Sequence, residues 1–235
     1  IRPLTEAASL KRGEGSLFRG DEPVRVSSSR VVIHDDDGPV DFEGPVTAWQ
    51  QETNLRAKKM RLLRAESRVL ADGTVVVTLP LGQPGKENRR RVRLITEHLD
   101  YNNNTRVALL SGGATYEEPE TRVEADQMNI QLKRDGGIEG MTATGNVKLR
   151  VQGNRGTSDR LEWTGGSEGL VILIGEKTSA TLESTEPQSG QRRVETSRIS
   201  YDLKRKKGVA EGRGGRTVLE GTAPPKDQSP PTRGK

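Results

Sequence analysis

The side chains that most often perform covalent or metal chemistry are sparse in this chain. Its two histidines, His34 and His98, lie far apart and sit in no nucleophile or metal motif. Cysteine is absent, which excludes disulfides, thiolate metal sites and cysteine nucleophiles and leaves the redox compartment open. Asp35-Asp36-Asp37 could chelate calcium, but it lacks the spaced ligands of an EF-hand loop and fits a charged turn far better. Carboxylate pairs for glycoside hydrolysis are defined by a separation in space, and nothing in the sequence singles one out. Gly212-Arg213-Gly214-Gly215 has glycines but no strand-to-helix context, so a phosphate loop is excluded. The expectation is a non-enzyme with no catalytic residue, metal or cofactor.

What the spacing does offer is an apolar surface. Val31, Met60, Leu99, Met128, Leu161 and Ile199 occupy one equivalent position of a recurring phrase, about 29 to 39 residues apart. Two residues later come Ile33, Leu62, Tyr101, Ile130, Trp163 and Tyr201. Side chains alternate faces along a strand, so both columns point to one side of a sheet. Two ladders of that kind form a trough that can shield hydrocarbon from water. Each methylene moved into it gains roughly 0.8 kcal/mol, so one long acyl chain contributes on the order of 10 kcal/mol before entropy costs. The same residues would equally form the packed core of a β-sandwich, and the alternatives stay open at this point. Tyr101, Trp163 and Tyr201 are the candidates for an opening, because their polar ends favour a partly wet edge.

The elements that must position these columns are short hairpins. Each copy is an alternating run, a turn, and a second alternating run carrying a glycine. The clearest runs from Val123 to Ile130 and then from Gly140 to Leu149; others start at Val26, Leu55, Thr96, Thr157 and Val194. Asp35 to Pro39, Asn102-Asn103-Asn104, Lys133 to Gly137 and Gly165-Gly166-Ser167 supply the turn residues between halves. About a dozen strands follow one another with almost no helix signal. Composition agrees: 235 residues are 30% hydrophobic and only 3% aromatic, with 27 glycines and 12 prolines, which suits a thin sheet better than a thick core.

Three segments fall outside the repeat. Residues 1–22 read as a loosely ordered arm whose Leu4, Leu10, Leu17 and Phe18 are available to dock. Residues 80–91 read as a Gly/Pro-bearing insertion, a loop or a long hairpin, and 222–235 as a disordered, Pro-rich basic tail. The chain starts at Ile1 without a leader or a transmembrane run, so it reads as a mature or trimmed product. The formal charge of +5 favours an anionic partner. Arg89 to Arg93 and Lys204 to Lys207 are basic runs without neighbouring aromatic rings for base stacking, so no nucleic-acid partner is expected.

Glu124-Ala125-Asp126-Gln127-Met128 with Ala143-Thr144-Gly145-Asn146-Val147-Lys148-Leu149 resembles the repeat of the OstA/LptA family of lipopolysaccharide-transport proteins. Ser200-Tyr201-Asp202-Leu203 with Gly208-Val209-Ala210-Glu211-Gly212 resembles it too, and the likeness extends from about Val24 to Gly221. It departs where Gly175 is followed by Glu176-Lys177 rather than Asn-Val, and where Lys58 stands at the position of Asp126. It therefore points to the superfamily of LptA, LptC and the periplasmic LptD domain rather than to one member.

The resemblance implies an all-β fold of repeated antiparallel hairpins, an open, V-shaped β-jelly roll over residues 23–221. It implies a periplasmic, non-enzymatic carrier that shields the acyl chains of lipopolysaccharide between inner and outer membrane, with the two columns as its trough. Implied partners are lipopolysaccharide, LptC-like and LptD-like jelly-roll proteins, and further copies stacked end to end through the edges at Val24 to Ile33 and Arg193 to Glu211. Arg56, Lys58, Lys148, Arg150 and Arg160 are candidates for lipid A phosphates, but each also fits an outward strand position. The alternative is a structural or adhesive β-repeat protein that binds no lipid; a polysaccharide enzyme on a repeat scaffold is a third reading.

Overall fold

A computed structural model describes residues 17–18, 23–35, 38–81, 90–134, 137–165, 169–184, 192–212 and 215–220. Most of the N-terminal arm, the centre of the insertion, Asp36-Asp37 and the C-terminal tail lie outside them. Among the described residues there is no helix, and sixteen strands form one antiparallel sheet. β1 (Arg25–Ser27) and β2 (Arg30–Ile33) both pair with β3 (Val40–Gln50). A meander follows through β4 (Thr53–Leu63), β5 (Arg68–Leu81), β6 (Arg90–Asn102), β7 (Val107–Glu118), β8 (Thr121–Leu132), β9 (Ile138–Val151) and β10 (Asn154–Thr164). The two halves of β10 then pair separately, with β11 (Leu170–Ile174) and β12 (Ala180–Ser184). β13 (Arg192–Thr196) continues β12, while β14 (Arg198–Asp202), β15 (Lys207–Gly212) and β16 (Gly215–Glu220) continue β11.

The turns alternate in kind. At one end the connections are tight pairs, as at Gln51-Glu52, Pro119-Glu120 and Gln152-Gly153; Gln152 and Gly153 both have positive φ, as a two-residue hairpin of matching twist requires. At the other end four-residue turns close on a left-handed residue: Ser67, Arg106 or Lys206. The Lys204 to Lys207 run is such a solvated turn, as its sequence suggests.

A crease crosses the sheet at mid-strand. Register breaks occur between Glu43 and Val46, Asp72 and Val75, Ser111 and Ala114, and Glu124 and Gln127 with their partners. In β8, Ala125 and Met128 are both buried though three residues apart, with Asp126 and Gln127 exposed between them. An unbroken strand would turn those two side chains to opposite faces; the bulge restores the phase so that one face stays apolar on both sides. β4 repeats this as Ala57, Lys58, Lys59, Met60, and β6 as Thr96, Glu97, His98, Leu99. On the partner strands the bulge falls on glycine. Gly145, with φ of 76°, packs its Cα against the Asp126 carboxylate so closely that a Cβ there would collide with it. The glycine half of the sequence phrase is therefore the line along which the sheet bends.

The likeness failed at Gly175, and here the crease is built differently. Residues 175–179 form a loop between β11 and β12, opposite Asp159 of β10. Asp159 Oδ2 accepts the backbone N–H groups of Glu176, Lys177 and Thr178 at 2.7, 2.6 and 2.8 Å, and Oδ1 accepts the Thr178 hydroxyl at 3.0 Å. These donors, Thr178 foremost, hold the Asp159 carboxyl down at about 2.

The sheet folds over at the crease so that its apolar face turns inward in both arms, an open-edged jelly roll. Tyr116 of one arm meets Trp163 of the other edge to face, with ring centroids 5.5 Å apart. Residues flanking the bend on the inside are small, among them Ala57, Ala71, Ala114, Ala125, Ala143 and Ala180, which lets the arms approach.

Strand pairing sharpens two expectations. The sheet has two C-terminal edges: β13, which contains Arg193 and pairs only with β12, and β16, which pairs with β15 beyond Glu211. The flanks of the 80–91 insertion belong to the sheet: Pro80 pairs with Arg91 and Leu81 with Arg90, which lengthens the β5–β6 hairpin, and residues 82–89 lie outside the described ones.

Candidate functional site

The interior between the arms is the candidate site, and the register shows how it is made. Val31, Phe42, Met60, Ala71, Leu99, Leu110, Met128, Ala143, Leu161, Leu173, Ile199 and Ala210 are successive cross-strand partners, one row across twelve strands. A second row runs beside it from Ile33 and Val40 through Leu62, Val69, Tyr101, Ala108, Ile130, Met141, Trp163 and Val171 to Tyr201. All twelve residues of the two sequence columns thus lie in these rows. Adjacent strands contribute the alternating members Phe42, Ala71, Leu110, Ala143 and Leu173, which the columns omitted because they fall in the other half of the phrase.

The opposite arm supplies a third row that the sequence columns missed: Val26, Ala48, Leu55, Val77, Leu94, Tyr116, Val123, Leu149, Gly156, Leu182 and Val194. Alternation marked each strand as half-buried, but only the bulges show that its two halves face the same space. No charged residue interrupts any of the three rows.

The rows are closed rather than open to water. Met60, Leu62, Leu99, Tyr101, Met128, Ile130, Leu161, Trp163, Ile199 and Tyr201 are all buried; Val31 is partly covered and Ile33, on the edge strand, is 48% exposed. Tyr101 and Trp163 therefore do not sit at a wet opening, because the second arm lies over them. Tyr201 is near the rim, where its hydroxyl accepts Asn154 Nδ2 at 3.1 Å. Beside it Gln152 Nε2 donates to the Leu203 carbonyl at 3.3 Å. These two bonds tie the β9–β10 turn of one arm to the β14–β15 turn of the other, a latch across the open side.

A polar cavity of about 640 Å³ lies at that same rim, lined among others by Glu120, Arg122, Arg150 and Lys206. Glu118, buried next to it, accepts the Tyr116 hydroxyl and lies 3.7 Å from Arg90. Burial first, and then the Glu118 charge, push the Tyr116 phenol upward, so it stays a neutral donor. Of the five cationic candidates, Arg56, Lys58, Lys148 and Arg150 are exposed on the outer face and Arg160 pairs with Glu162 at 2.8 Å; only Arg150 reaches the rim cavity.

His34 is paired with Asp41 at 2.9 Å and His98 with Asp72 at 2.7 Å, both on the outer face. Among the described residues no group of His, Asp and Glu could hold a metal ion, and no helix is long and apolar enough to cross a membrane. From the N-terminal arm, Leu17 and Phe18 lie inside, 6% and 3% exposed, and the Leu17 N–H donates to the Tyr101 hydroxyl at 2.9 Å.

Residues 95–207, just under half the chain and spanning β7 to β14, match the family of LptA/(LptD N-terminal domain) LPS transport proteins. The matched segment carries part of each of the three inner rows, and the latch. Among solved structures, the chain is similar to LptH from Pseudomonas aeruginosa, the LptA homologous periplasmic component of a lipopolysaccharide transport device. Identity is 14% and the TM-score 0.47, over 56% of this chain and 96% of that one. No curated protein matches the chain significantly.

Proposed function

We propose that this chain binds lipopolysaccharide in the periplasm and carries it between inner and outer membrane, with the acyl chains between the arms. The observation that supports this reading best is the continuity of the three rows: apolar side chains without a charge, in register from one edge of the sheet to the other. A core needs only enough apolar area to fold, whereas a track for hydrocarbon needs that area unbroken along one direction. Loading then requires the arms to part, and the latch at Gln152 and Asn154 is where they would release. Transport asks for no nucleophile, metal or cofactor. The edges at β1–β2 and at β13 and β16 leave strand backbone without a ladder partner, suited to pairing with LptC-like and LptD-like partners or with further copies end to end.

A second reading, a structural or adhesive protein with a permanently packed interior, is favoured by the burial of the rows. Photo-crosslinking separates the two. A benzophenone amino acid replaces Leu99, which faces inward, or Leu109, which faces outward and is 46% exposed. Incubated with lipopolysaccharide, the carrier crosslinks at position 99 and not at position 109. Equal labelling, or none at position 99 with no lipid in the purified protein, refutes the carrier and leaves the structural reading.

A further inference from the structure

Leu17 and Phe18 belong to no strand, yet both are buried among the inner rows. Leu17 donates its backbone N–H to Tyr101, a second-row residue 84 positions away that lies between Val69 and Ala108 in the register. A Leu-Phe pair offers these rows what a lipid tail would offer, a run of hydrocarbon with its polar backbone turned to a phenol. We infer that Leu17 and Phe18 fill an acyl-chain subsite beside Tyr101 and that an incoming chain displaces them; this rests on the carrier reading above.

Two features of the fold make the pair an exchangeable occupant. No β-ladder holds it, so it can leave without unpairing the sheet, and segments of that kind open at lower free energy than core strands. It also sits in the arm whose rows contain every residue of the sequence columns, so its departure frees the inner face without moving β4 to β10. A binding-competent state that is populated only when the pair leaves weakens the apparent affinity by the fraction in which it is out.

The test uses the full chain and cis-parinaric acid, a fluorescent fatty acid. The double variant Leu17→Ser/Phe18→Ser lowers the dissociation constant about tenfold or more. Tyr101→Phe keeps the ring and removes the hydroxyl that accepts the Leu17 N–H, so it tightens binding about fivefold, the equivalent of one hydrogen bond. In the unaltered chain, saturating probe accelerates hydrogen exchange at the Leu17 amide. Unchanged or weaker binding in both variants overturns the inference, and so does an unperturbed Leu17 amide in the loaded protein. Should the double variant unfold, Tyr101→Phe and the exchange measurement decide it. If neither the unaltered chain nor any variant takes up the probe, the carrier reading falls with the inference; if all bind equally, only the inference falls.

Discussion

The latch is the part of the structure where a small change should have the largest effect on loading. Gln152→Ala with Asn154→Ala removes both bonds between the arm ends, to the Leu203 carbonyl and the Tyr201 hydroxyl, and leaves every row residue in place. Each such bond contributes about 1 kcal/mol net, so the closed form loses about 2 kcal/mol against any open one. That raises the open population about 30-fold, and the rate of hydrocarbon entry rises by the same factor while opening limits it. Stopped-flow mixing with cis-parinaric acid reads this directly. An entry rate within about twofold of the unaltered protein, with circular dichroism showing the sheet intact, would refute the reasoning, because it would mean that chains enter by a route the latch does not guard.

Two further predictions concern the crease. Gly145→Ala destabilises by about 1–2 kcal/mol for the left-handed backbone, and by more for the collision with Asp126, whereas Gly113→Ala, with open space around its Cα, pays only the backbone part; urea midpoints of the two variants should rank in that order, and equal losses would contradict the close packing at Asp126. Asp159 carries a depressed folded pKa of about 2, so its stabilising effect is complete above the ordinary carboxylate range and is lost as pH falls from about 4 toward 2. The gap in urea midpoint between the unaltered chain and Asp159→Asn should be full at pH 6 and shrink across that window; a gap independent of pH would show that the carboxylate charge does not hold residues 175–179 in place.

Much of the architecture was readable because it is repetitive. Met128 and Ile130, or Leu161 and Trp163, stand at the same offset in each copy, and a two-residue period assigns both to one face. The rows confirm that alignment residue by residue. The opposite arm was missed for the same reason: Val123 is five residues from Met128 on β8, and a strict period places it on the other face. Only the bulge at Asp126 and Gly145 reconciles the two. The glycine was visible in every copy, but its role as a bend depends on the partner strand that it faces. That β13 and β16 are both edges could not be read from the sequence, because it depends on which strands β10 and β15 pair with.

Composition and period settled that this chain is a β-protein and that its apolar side chains form ladders on a common face. Those properties are local: alternation, turn residues and the absence of cysteine act within a few residues. Closure of the arms, the Tyr116–Trp163 contact, the latch at Asn154 and the burial of Leu17 against Tyr101 join residues that lie 47 to 84 positions apart. Such contacts leave no periodic trace, since each depends on where the whole sheet bends and not on the residues beside it. An open furrow and a closed interior are therefore written in nearly the same sequence, and the fold at the crease decides between them.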